Sequence, residues 1–120
     1  MTYPRKKPKP DRIKEVDRKV YERHRQWVRG HGCIVPDCME TKMQFCHVRR
    51  GLPNGHQAGM NQKPHDAFGF PACAEHHSQQ HSMGELSFES HYGVDLLQTA
   101  LGYAKQSPVQ EIRELSKKLL

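Results

Sequence analysis

The sequence predicts one small α+β domain: a strand–loop–strand–helix core with further helices on either side. Three observations lead there. The chain has 120 residues, enough for one core and too few for a second of useful size. Hydrophobic residues make up only 35% of it, a thin supply for burial, while nine histidines and four cysteines offer another means of holding the chain together. After Cys38 the patterning runs strand, loop, strand, helix, and most of the Cys and His residues fall within or beside that run.

The elements follow in order. Pro4, Pro8 and Pro10 stand among Arg5, Lys6, Lys7 and Lys9, so residues 1–10 read as an extended, disordered basic arm. Asp11 can cap a basic helix over residues 11–30, with Ile13, Val16, Val20 and Trp27 as its apolar stripe and Gly30 and Gly32 to end it. Residues 31–105 form the central domain. Within it, Cys33 and Cys38 enclose the tight turn Pro36-Asp37, and Met43 to Val48 reads as a strand. Residues 49–66 make a long loop rich in Gly, Asn, Gln and His, of the kind that in small domains more often carries function than filler. Ala67 to Pro71 reads as a second strand and Ala74 to about Ser82 as a helix. Helical patterns then cover Glu85 to His91 and Asp95 to Lys105, and residues 106–120 hold a last helix over Val109 to Leu120. Leu96, Leu97, Leu101, Tyr103, Ile112, Leu115, Leu119 and Leu120 are packing surface, and the last helix is a candidate for binding a partner.

Charge and location narrow the function. Residues 1–30 hold eleven Lys/Arg against four Asp/Glu, a net of +7, whereas residues 31–120 hold eight against nine, a net of −1. A cationic segment concentrated in this way suits a phosphate backbone, though the same composition also makes a solubilising tail. The chain has no long apolar run for a membrane span and no apolar segment of a secretory signal. A cytoplasmic protein is expected, whose cysteines are metal ligands or free thiols rather than disulfides.

The strongest local signal is Cys73-Ala-Glu-His76-His77-Ser-Gln-Gln-His81. His77 and His81 are four apart and share one helix face, the geometry that places two imidazoles on one cation. Cys73 and His76 lie at the helix entrance and, with Cys33 and Cys38, make a three-thiolate, one-imidazole set for structural Zn2+. Phe45-Cys46-His47-Val48 adds a histidine on the first strand, facing the metal held by the helix. A neutral imidazole there is suited to take a proton from water as that water attacks a phosphodiester.

These residues resemble the HNH (His-Me finger) nuclease superfamily, and within it phage and prophage HNH-like proteins related to recombination-enhancing nucleases. The likeness runs from Cys33 to about Leu97 and rests on four stretches. They are Cys46-His47 at a strand end, Gly59-Met-Asn-Gln-Lys63-Pro-His65-Asp66, the helix Cys73 to His81, and Phe88-Glu-Ser-His-Tyr-Gly93. The resemblance implies a zinc-stabilised ββα-metal core and metal-dependent hydrolysis of DNA with low sequence specificity. His47 would be the general base, Asp66 would stand near the residue that orients it, and His77 and His81 would bind the catalytic Mg2+, Mn2+ or Zn2+. His65 and Lys63 would touch phosphate or help hold metal; Arg49 and Arg50 join the basic arm as candidate contacts to DNA. Cys46 stands where the superfamily often has a third catalytic ligand. It could instead face the core, or replace His76 in an all-cysteine structural site. A recombination or replication protein is a possible partner. The competing expectation is a zinc-stabilised nucleic-acid-binding accessory module without catalysis.

Overall fold

The structure is a computed structural model and describes residues 12–58 and 63–119, with side chains described from residue 21 onward. The basic arm, Asp11, residues 59–62, the side chains of Ile13, Val16 and Val20, and Leu120 lie outside the described residues.

Helix α1 (Arg12–Arg29) stops where Gly30 and Gly32 were expected to stop it. Its described inner face is His24 and Val28, four apart and fully buried. Trp27, expected on the apolar stripe, is half-buried and meets His31 and Tyr103 edge-on.

Strands β1 (Gln44–His47) and β2 (Gly69–Ala72) form one antiparallel pair, with Cys46 opposite Phe70 and His47 opposite Gly69. The second strand starts two residues later than the pattern predicted, because Asp66–Phe68 close a 3₁₀ turn. His65 caps that turn, its Nδ1 accepting from the Ala67 amide at 2.9 Å. At Gly69 a Cβ would sit 1.8 Å from Cζ of Phe45, so only glycine leaves room for that ring.

Only Cys73 separates β2 from helix α2 (Ala74–Met83), and only Gly84 separates α2 from α3 (Glu85–Tyr92). Gly93, left-handed at φ 66°, closes α3. Asp95 then caps α4 (Leu96–Lys105) by accepting from the Gln98 amide, and α5 (Gln110–Lys118) completes the order.

The main core joins Val35, Cys46, Val48, Phe68, Phe70, Phe88, Leu96 and Leu101 beneath the sheet. A second cluster of Ala67, Ala104, Val109 and Ile112 lies between α4, α5 and the 3₁₀ turn, with Tyr21 of α1 against it. Since α1 packs on both strands and α5 on α4, the packing crosses the boundaries expected at residues 31 and 105. The apolar positions of α5 are spent inside the domain, Ile112 being fully buried. No helix among the described residues is long and apolar enough to cross a membrane.

Candidate active site and metal centre

Two constellations flank the sheet. The first is the cysteine–histidine cluster. Cys33, Cys38, Cys73 and His76 offer one ligand atom each, and all four atoms lie within 4.8 Å of one another. Nδ1 of His76 is 3.4 Å from Sγ of Cys33 and 3.1 Å from Sγ of Cys73, while the Cys38 and Cys73 sulfurs are 3.9 Å apart. A tetrahedral site with metal–sulfur bonds of about 2.3 Å has edges of roughly 3.5–3.8 Å, so this spacing and donor set fit one metal ion.

Local backbone builds the cluster. The Cys33–Cys38 turn is closed by the Cys38 amide on the Val35 carbonyl, and the Ile34 amide ties it to Pro71 of β2. Asp37 adopts φ 65°, a conformation that Asp tolerates better than most residues. Cys73 is the N-cap of α2, where the His76 amide reaches its sulfur at 3.5 Å. Burial, with the neighbouring Cys38 adding to it, pushes the Cys33 thiol above its ordinary range. A divalent cation held there would relieve that penalty by stabilising the thiolates.

Cys46 does not join either constellation. It is fully buried in the main core, and burial, then the charge of Cys33, pushes its thiol up to about 12. Neighbouring strand residues face opposite ways, so when His47 points to the groove Cys46 points beneath the sheet. The four-ligand set is completed by His76.

The second constellation is a groove of about 610 Å³ lined by Arg25, Arg29, Met43, Gln44, Phe45, His47, Arg49, Lys63, His77 and His81. His47 is held from below. Its Nε2 lies 2.8 Å from Oδ1 of Asp66. With that carboxylate ionised, Nε2 carries the proton and Nδ1 keeps a lone pair. Burial opposes ionisation of Asp66, but hydrogen bonds from His47 and then Arg25 outweigh it and hold the carboxyl below its usual range. Arg25 takes the other oxygen, Oδ2, through Nη1, and is braced by Glu22, whose Oε2 accepts from Arg25 Nη2 at 2.5 Å.

His77 and His81 complete the groove. Their Nε2 atoms are 3.1 Å apart, a separation that two ligands of one cation would have. Nδ1 of His77 donates to Oε1 of Gln44 at 2.6 Å, which fixes its tautomer and leaves Nε2 as the lone-pair nitrogen. Burial first, then the nearby His81 and His47, hold His77 below the ordinary imidazole range and so in its neutral, ligating form.

His65 falls outside this site. Nδ1 is used by the Ala67 amide and Nε2 meets the Tyr21 hydroxyl at 3.2 Å, so both ring nitrogens serve the fold rather than a substrate. Of the expected basic contacts, Arg49 and Lys63 line the groove. Arg50 is not among the lining residues; its amide is held by Glu85 Oε1 at 2.8 Å. Arg5, Lys6, Lys7 and Lys9 lie outside the described residues.

Several residues that matter here carry no sequence signal. Gln80 of α2 is buried, and its Nε2 donates to the His47 carbonyl at 3.0 Å and to Glu85 at 2.9 Å. Glu85 also accepts from the Arg49 amide at 2.9 Å, so Gln80 and Glu85 together fix the end of β1. Behind Asp66, His24 is fully buried, with Nδ1 2.7 Å from Oγ of Ser107. That Oγ also accepts from the Val109 amide, and burial lowers the pKa of His24 to about 4, so the imidazole is neutral. Gln80 meets His47 across 33 residues and His24 meets Ser107 across 83, and no helix or strand period links either pair.

The family model described as "Protein of unknown function (DUF968)" matches residues 5–106, most of the chain. The chain belongs to the DUF968 family. The DUF968 match takes in α1 through α4, and with them every residue of the metal cluster and of the groove. No curated protein and no solved structure matches this DUF968 chain.

Proposed function

We propose that this chain is a metal-dependent DNA endonuclease of the HNH (His-Me finger) type, acting in phage or prophage recombination or DNA processing. The observation that carries the reading is the His47–Asp66 pair, set in a cationic groove beside the paired Nε2 atoms of His77 and His81. Cys33, Cys38, Cys73 and His76 would hold structural Zn2+, which cross-links the turn after α1 to the start of α2.

The chemistry then follows from the side chains. His47 accepts a proton from water as the water oxygen forms its bond to phosphorus and the bond to the 3′-oxygen breaks. Asp66 keeps the proton on Nε2 and stabilises the imidazolium that forms. Arg25 holds Asp66 in place, and Gln80 holds the strand that carries His47. A divalent ion held by His77 and His81 would supply charge stabilisation for the phosphate and the leaving oxygen. Arg49 and Lys63 supply charge for the backbone, and backbone contacts carry little sequence preference.

A plasmid-nicking assay with Mg2+, Mn2+ or Zn2+ tests this. His47→Ala is expected to lower the rate about 100- to 10,000-fold with zinc content and fold intact. His81→Ala also loses activity, but excess divalent ion restores part of it, whereas no such rescue occurs for His47→Ala. If His47→Ala nicks DNA as fast as the parent, the chain is a zinc-stabilised binding module instead.

A further inference from the structure

The cationic groove has a division of labour among its arginines that the proposed hydrolysis does not require. Arg25 is committed to carboxylates on both sides of its guanidinium: Nε and Nη2 face Glu22, and Nη1 faces Asp66. Arg29, one helical turn further along α1, meets Glu22 Oε1 at 3.0 Å through Nη2, and 34% of its side chain remains exposed at the groove. Hydrogen bonds from Arg25 and then Arg29 hold Glu22 below the usual carboxylate range, so it stays ionised and keeps both guanidiniums oriented. One glutamate therefore assigns one arginine to the base and presents the other to the groove. Among the described residues, four of the ten that line the groove are Lys or Arg and none is Asp or Glu.

We infer that Arg29 is a phosphate-binding residue, which grips the nucleic-acid backbone beside the phosphate that His47 would face. This deepens the nuclease reading and rests on it for the choice of ligand. A guanidinium fork matches phosphate oxygens bidentately, and its bracing by Glu22 lowers the ordering cost of making that contact. α1 thus brings a substrate contact to the groove from outside the strand–loop–strand–helix core.

The test is a salt series of binding to a labelled duplex, and to its single strand, without added divalent ion. The chains compared are the parent, Arg29→Gln, Arg29→Lys and, as a control for lost charge away from the groove, the exposed Lys105→Gln. Each backbone contact contributes about 0.9 to the slope of log K against log salt for duplex and about 0.7 for single strand. Arg29→Gln is expected to lower the slope by one such step on whichever strand form binds. Arg29→Lys should keep the slope, and Lys105→Gln should match the parent. An Arg29→Gln slope equal to the parent's, an equal loss in Lys105→Gln, or a parent that binds neither strand form would each overturn the assignment. Failure of the nuclease reading alone looks different: binding that depends on Arg29 in a parent that cuts nothing.

Discussion

Oδ1 of Asp66 lies 2.8 Å from Nε2 of His47, and Oδ2 of the same carboxylate is taken by Arg25, so one side chain joins α1 to the end of β1. Its two variants should separate orientation from charge. Asp66→Asn can still accept from His47 but no longer pairs with Arg25; Asp66→Ala does neither. Asp66→Ala is expected to cost about 1–3 kcal/mol of stability, since it takes the carboxylate from Nη1 of a partly buried guanidinium that keeps only Glu22 as its acidic partner among the described residues, and to lower nicking more than Asp66→Asn does. Chemical denaturation and plasmid nicking measure the two effects. Equal activity in both variants and the parent would mean that Asp66 has no part in orienting His47.

The cysteines give a sharper contrast. Cys73→Ser should lose most bound zinc and much of the folded signal, because metal binding here is also folding energy. Cys46→Ala should keep a full equivalent of zinc and lose only about 1–2 kcal/mol, the cost of a small core cavity. Elemental analysis of the two purified variants, with thermal melts in the presence and absence of chelator, decides it. Loss of zinc from Cys46→Ala would return that thiol to the ligand set.

Stability should depend on pH through His24. Burial lowers its pKa from 6.5 to about 4, so the folded protein holds it neutral where the unfolded chain protonates it. The contribution is complete above pH 6.5 and is lost as pH falls towards 4, reaching roughly 3 kcal/mol. Denaturant titrations between pH 7 and pH 4 should show a steeper fall for the parent than for His24→Gln, even though the variant starts lower. The metal cluster is common to both proteins and drops out of the comparison. Parallel curves would show that His24 titrates normally.

Gly69 offers a test of how the base is seated. A methyl group there would overlap the Phe45 ring, which packs edge-on against His47 at 5.1 Å between centroids. Gly69→Ala is expected to cost about 1–3 kcal/mol and to displace Phe45, with loss of nicking beyond what the change in stability explains. Spectroscopic melts and activity at a temperature where the variant is fully folded check this. Unchanged activity in a fully folded variant would detach Phe45 from the placing of His47.

The sequence alone determined what depends on neighbours a few residues apart. A four-residue step puts His77 and His81 on one face of α2, and Cys73 with His76 forms half of the metal cluster through the first turn of the same helix. Helix and strand periods are local, so these placements survive whatever the rest of the chain does. The order of the elements was legible for the same reason; the start of β2 was missed because His65 caps a turn where the pattern still looked extended.

Tertiary packing decided the rest. His47 meets Asp66 across 19 residues and Asp66 meets Arg25 across 41, and no period links positions so far apart. Burial gave His24 and Gln80 their roles, and strand alternation turned Cys46 into the core while His47 faced the groove. α1 shows the difference most clearly. Its composition marks it as a basic helix, but only its packing against both strands brings Arg25 and Arg29 to the groove. A side chain's partner is fixed by where its element docks, and docking is decided by all the buried surface at once.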